Sequence, residues 1–116
     1  MDMTLENLLA RVGMLGVEHN CNDEALLIAR WLALEPATQE AAAMLRISSL
    51  MGLGRCDEAL AEGNKAPWPS LGPWLALCER RLGCMAALDR RLDSMLLSDD
   101  PGLVAFARGM CLGTVQ

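Results

Sequence analysis

An all-α chain built from paired helices is what this sequence predicts, and three observations carry the prediction. The stretch Asn22-Asp-Glu-Ala-Leu26 returns as Cys56-Asp-Glu-Ala-Leu60, so that Asp-Glu-Ala-Leu recurs at a displacement of 34 residues. Leu-Gly pairs at 15–16, 53–54 and 82–83 each precede an Ala-Leu pair, which marks three units with unequal turns. Apolar residues make up 53% of the chain, yet Tyr is absent and Phe occurs once, leaving Ala, Leu and Met to dominate. That composition forms helices rather than strands.

Asp-Glu-Ala-Leu is by itself a generic helix start, with acidic side chains against the positive end of the helix dipole. The displacement adds the second meaning. Thirty-four residues is the period of the tetratricopeptide repeat, a helix-turn-helix unit that buries its apolar face only by stacking on neighbours. Three such units nearly fill 116 residues, so the expected architecture is one domain, 1–116, with units at about 4–36, 37–69 and 70–98 and a capping helix at 100–112. The expected shape is a right-handed α-solenoid with a concave groove.

Each element follows from local signals. Thr4 caps a first helix in which Leu5, Leu8, Leu9 and Val12 recur at helical spacing, ending near Leu15, with Gly16 to Asn20 as the turn. Asn22 caps a second helix with an apolar face of Ala25, Leu26, Ile28, Ala29, Leu32 and Ala33, stopped by Pro36. Thr38 and Glu40 open a third, apolar nearly all round from Ala41 to Met51, which Gly52 and Gly54 end. The fourth runs from Cys56 to Glu62 and stops at Gly63. Two prolines flank Trp68, so residues 64–69 form an elbow with the indole packed down. Ser70 and Pro73 start a fifth helix that Gly83 ends. The sixth, Cys84 to about Leu97, turns Met85, Leu88, Leu92, Met95 and Leu96 inward. Asp100 caps and Pro101 begins a seventh, to about Met110, which buries Leu103, Val104, Phe106 and Ala107.

Charge and cysteine usage bound the function. The formal charge is −5, and the longest basic runs are the pairs Arg80-Arg81 and Arg90-Arg91, so the electrostatic footprint of a nucleic-acid-binding protein is missing. The N-terminus lacks the layout of a signal peptide and no apolar run is long enough to span a bilayer, which points to a soluble cytoplasmic protein with no membrane partner. Five cysteines without a C-x-x-C pair argue against a disulfide framework and for reduced core or turn residues.

Catalysis has little to stand on. His19 is the only histidine, and His19-x-Cys21 has the residue types of a nucleophile with its base, or of half a metal site. Both lie in a turn with no oxyanion donor or further ligand pair at a suitable spacing, and a solvated turn histidine accounts for them. No catalytic residue, metal site or cofactor is assigned.

Binding is the better reading. Met14, Met44 and Met51 fall on the first helices of the first two units, the helices that line the concave surface in tetratricopeptide folds. With Val17, Ile47 and Leu77 they define an apolar groove suited to a helical ligand, because methionine is flexible and polarizable. The competing reading is that these side chains fill the core between helices. Arg80 and Arg81 are candidate rim charges for an acidic residue on the ligand. Repeats of this class that hold a C-terminal carboxylate use inward Lys, Asn and Arg, whereas the matching positions here are mainly Met, Ala, Val and Ser.

The middle of the chain adds a family resemblance. Leu45-Arg-Ile-Ser-Ser-Leu50, Gly54-Arg55, Glu58-Ala-Leu60, Pro67-Trp-Pro69, Pro73-Trp74, Leu77-Cys-Glu79 and Ala86-Ala-Leu-Asp-Arg-Arg-Leu92 resemble the YscG/PscG/AscG family of type III secretion chaperones, the AscG branch most of all. The resemblance covers essentially the whole chain. It implies a cytoplasmic bacterial chaperone that acts with a small helical co-chaperone, of the YscE/PscE/AscE kind, to hold the needle subunit in a 1:1:1 heterotrimer. The amphipathic C-terminal helix of the needle subunit would lie in the groove and be kept from polymerising. Leu5, Leu8, Leu9 and Trp31, placed by helix phase, are the candidate co-chaperone contacts. A chaperone of a translocator subunit and a structural component of the secretion apparatus are the alternatives.

Overall fold

The computed structural model describes the backbone of residues 5–115 and the side chains of residues 8–111. Seven α-helices follow one another: α1 (Leu5–Glu18), α2 (Asn22–Leu32), α3 (Gln39–Gly52), α4 (Cys56–Lys65), α5 (Gly72–Leu82), α6 (Met85–Leu96) and α7 (Pro101–Val115). Short 3₁₀ turns at Pro36–Thr38 and Pro69–Leu71 lead into α3 and α5. No strand occurs among the described residues. The chain is therefore all-α, with helix pairs α1/α2, α3/α4 and α5/α6 and a seventh helix after them. It groups into two compact units that meet in sequence at Pro67 and Trp68.

In each pair, the turn between the helices is built by the same backbone device. Asn20, Gly54 and Gly83 adopt the left-handed conformation at φ 63°, 76° and 76°. The residue after each donates its N–H back to a carbonyl one turn inside the preceding helix: Cys21 to Gly16 O (2.6 Å), Arg55 to Leu50 O (2.8 Å) and Cys84 to Glu79 O (2.9 Å). These are Schellman closures, which satisfy carbonyls that a helix end would orphan. The first turn departs from expectation here. Its left-handed residue is Asn20, which lies 34 positions before Gly54, so Gly16 stays helical and α1 runs on to Glu18.

The first unit is built on small residues. Ala25, Ala29 and Leu32 of α2 meet Ala42 and Leu45 of α3, with Leu9, Ala10, Met14 and Val17 of α1 packed against them. A Cβ on Gly13 would land on Leu45 Cδ2, so α1 approaches α3 only because the position is glycine. Thr38 donates its hydroxyl to Leu32 O at 2.6 Å, which ties the end of α2 to the start of α3. The buried hydroxyls of Ser48 and Ser49 donate within α3 to Met44 O (2.8 Å) and Leu45 O (2.7 Å), so this apolar helix carries them without an orphaned donor. Arg46 and Glu62 join α3 to α4 through two hydrogen bonds, one of them Nη2 to Oε1 at 2.8 Å.

Helix α4 also outruns its expected end. Gly63 is buried inside the helix, and the stop comes from Pro67, which holds Ala66 extended at φ −87°, ψ 145°. Asn22 is likewise the first residue of α2 rather than its cap. Its buried side chain makes no capping hydrogen bond, and no protein donor reaches Oδ1.

The second unit packs Ala76 of α5, Leu88, Leu92 and Met95 of α6, and Leu103, Ala107 and Met110 of α7, with Leu77 and Phe106 against them. Met85 and Leu96, expected inside, are the first and last residues of α6 and stand exposed beyond the stripe. Val104 and Phe106 are half-buried. Asp100 does cap α7, accepting the Gly102 N–H at 2.8 Å. Glu79 is 2% exposed and accepts two hydrogen bonds from Arg91, at 2.7 and 3.3 Å, across the α5/α6 pair.

Candidate partner-binding faces

Among the described residues no constellation for chemistry is assembled around His19. His19 and Cys21 are both exposed, and the Cys21 thiol turns to the carbonyl oxygen of His19 at 3.8 Å rather than to its ring. The five cysteines are free thiols, with Cys56 and Cys78 buried.

The predicted groove residues divide by burial. Met14 and Val17 on α1 and Met44 on α3 are half-buried, each with part of its side chain on the surface. Met14 lines an open depression of about 420 Å³ along α1, together with Ala10, Arg11, Leu15 and Glu18. Those positions share one face of the helix, since they fall at i, i+1, i+4, i+5 and i+8. Ile47 and Met51 stand differently, at 2% and 9% exposure. Their phase on α3 puts them in the interior, where they offer a ligand almost no surface. That burial favours the core reading, which competed with the groove reading for both residues.

In the second unit Leu77 is half-buried, packed against the core of α5, α6 and α7. Arg80 and Arg81 are exposed at the end of α5, where cations also complement the helix dipole. An Arg80 Nη1–H reaches the Met110 sulfur at 3.6 Å, a weak contact that holds the guanidinium over α7.

The predicted co-chaperone contacts are more open. Leu8 is exposed and Leu9 half-buried on α1, while the Leu5 side chain lies outside the described residues. Leu8, Val12 and Leu15 form an exposed apolar stripe along α1 at i, i+4 and i+7. On α2, Leu27 (58%), Trp31 (71%) and Leu34 just beyond its end (76%) form a second one. The core side of α2 is Ala25, Ala29 and Leu32, with the same spacing two positions back, so the two stripes lie on opposite faces. Sequence reasoning named Trp31 but missed Leu27 and Leu34. The signal was there as a second i, i+4, i+7 series, hidden because the helix is apolar on both sides.

A small all-helical protein of repeated helix pairs, with apolar stripes left open on its first two helices, belongs to the class of protein-binding repeat scaffolds. The chain matches, over residues 1–114, the family described as bacterial type III secretion system chaperone protein. It is 50% identical over 110 residues to the type 3 secretion system chaperone PscG of Pseudomonas aeruginosa and 44% identical over 110 residues to the chaperone YscG of Yersinia enterocolitica, with 95% of each chain covered in both cases. This chain belongs to that family of type III secretion chaperones. Among solved structures, it is similar to a chain of the heterotrimeric complex which regulates type III secretion needle formation, with a TM-score of 0.89, 48% identity and coverage of 97% of this chain and 98% of that one. No helix among the described residues is long and apolar enough to cross a membrane.

Proposed function

We propose that this chain is a non-enzymatic chaperone of the bacterial cytoplasm that, with a small helical co-chaperone, holds the secretion needle subunit in a 1:1:1 heterotrimer. The observation that carries the reading is the near-complete likeness to a chain of a heterotrimer regulating needle formation. The physical task is to cover the amphipathic C-terminal helix by which needle subunits pack on one another. A helix-in-groove contact does so by replacing subunit contacts with a soluble, capped one. On this chain Met14, Val17 and Met44 are the covering residues of the first unit; the second unit, taken by itself, offers Leu77 with Arg80 and Arg81 as exposed cations. Ile47 and Met51 back the wall from inside. Leu8, Leu9 and Trp31, with Leu5 ahead of them in sequence, face the co-chaperone.

The test is co-expression with the needle subunit and co-chaperone, reading the soluble needle subunit after high-speed sedimentation. Wild type keeps it in the supernatant. Met44→Asp, at a half-buried surface position, sends it to the pellet with far-ultraviolet helicity unchanged. If Met44→Asp and Met14→Asp both keep the subunit soluble while the chain stays helical, the ligand does not lie on these helices.

A further inference from the structure

Among the described methionines, three reach the surface. Met14 on α1 and Met44 on α3 are half-buried, and Met85, the first residue of α6, is 47% exposed. The others are interior: Met51, Met95 and Met110 are 9%, 6% and 8% exposed, and the Met110 sulfur also takes an N–H of Arg80 at 3.6 Å. Two of the surface methionines therefore fall among the residues read above as covering the ligand. The third lies on the second helix of its pair, where no ligand is assigned. Met14 further borders the open depression along α1, which is large enough to admit a small solute. A thioether suits an apolar ligand because it is flexible and polarizable, and the same sulfur is oxidisable where a leucine would be inert.

We propose that Met14 and Met44 are reversible oxidation sites, at which a hydroperoxide converts the thioethers to sulfoxides and shuts the empty chaperone off from its apolar ligand. The inference rests on the groove reading above and adds its regulation. In the step, the thioether sulfur attacks one peroxide oxygen and forms an S–O bond. The O–O bond breaks, and the departing oxygen takes up a proton to leave as alcohol or water. Sulfur loses two electrons and the peroxide gains them. The product side chain is polar, and its new oxygen, pressed against the apolar face of a helix, finds no donor there, which opposes binding. A bound helix covers the same side chains, so occupancy protects them. Loaded chaperone keeps its cargo under oxidant while empty chaperone stops loading, and methionine sulfoxide reductases reverse the change. Met85 oxidises as well, without consequence for the ligand.

The experiment exposes the complex of this chain with its co-chaperone, and in parallel the full heterotrimer, to hydrogen peroxide. The chain carries Cys21→Ser/Cys84→Ser, since those two exposed thiols also reduce peroxide. Peptide mass spectrometry reads sulfoxide at each methionine, and fluorescence anisotropy reads binding of a synthetic peptide of the needle subunit's C-terminal helix. In the empty complex Met14, Met44 and Met85 are expected to convert well ahead of Met51, Met95 and Met110, and peptide affinity to fall about tenfold. Treatment with methionine sulfoxide reductases restores it. In the heterotrimer Met85 converts while Met14 and Met44 are spared. Each further variant is read as its affinity after oxidation over its affinity before. That ratio stays near unity in Met14→Leu/Met44→Leu and falls as in the parent in Met85→Leu. Full conversion of Met14 and Met44 with unchanged affinity, together with their sparing in the heterotrimer, overturns the switch and leaves the groove reading standing. Loss that persists in Met14→Leu/Met44→Leu, or that the reductases fail to reverse, also overturns the switch. Equal conversion of Met14 and Met44 in the heterotrimer and the empty complex removes both the inference and the groove reading beneath it, as does absence of peptide binding before oxidation.

Discussion

Gly52 and Asn22 show how tightly single positions are specified. A Cβ on Gly52 would lie 2.5 to 2.7 Å from three atoms of the Asn22 side chain, which is itself buried. Gly52→Ala is therefore expected to destabilise the protein by roughly 1–3 kcal/mol, as overpacking does. Asn22→Ala removes the obstructing amide together with an oxygen that no protein donor reaches, so the substitution is expected to cost little and to rescue Gly52→Ala. Urea denaturation of both single variants and the pair measures this; equal losses for Gly52→Ala in the two backgrounds would show that the contact does not limit packing. Asn22 was legible as a helix start but not as a buried side chain. The cap expected of it was a local preference, and tertiary packing against α3 overrode it. Gly16 misled in the same way, since a glycine inside a helix and a glycine ending one look alike until the left-handed residue, Asn20, is known.

At the scale of helix pairs, two ion pairs of different worth cross between partners. Arg46–Glu62 joins α3 and α4 with both side chains 40% exposed, whereas Glu79–Arg91 joins α5 and α6 with the side chain of Glu79 3% exposed and that of Arg91 21%. Hydrogen bonding to Glu62 raises the Arg46 pKa above its ordinary value, but solvent screening keeps such a surface pair at about 0–1 kcal/mol. Arg91→Ala leaves a buried carboxylate without its main partner and is expected to cost about 3–5 kcal/mol. Denaturant midpoints check the ordering: Arg91→Ala should unfold well before Arg46→Ala, and similar midpoints would mean that Glu79 finds other compensation. Helix existence was readable from apolar spacing and from Gly and Pro punctuation. Burial depth within a helix was not, because α3 is apolar nearly all round and its sequence does not say that Ile47 and Met51 face in while Met44 reaches the surface. The same ambiguity on α2 hid Leu27 and Leu34 behind the core series of Ala25, Ala29 and Leu32.

For the whole molecule, the 34-residue recurrence gave the architecture and the family resemblance gave the role, and the two are separate kinds of knowledge. The period follows from how helix pairs stack. Nothing in it says what is bound, since an apolar stripe specifies a kind of surface and not an occupant. The exposed series on α1 leaves apolar surface uncovered in the lone chain and favours its self-association; light scattering across a dilution series is expected to show a mass above 12.6 kDa that falls when the co-chaperone is added. The measurement that bears most directly on the account is size exclusion with mass determination on the three proteins expressed together. One soluble species containing this chain, the co-chaperone and the needle subunit in equal number is expected. Needle subunit that polymerises regardless, or elutes apart from this chain, would contradict it.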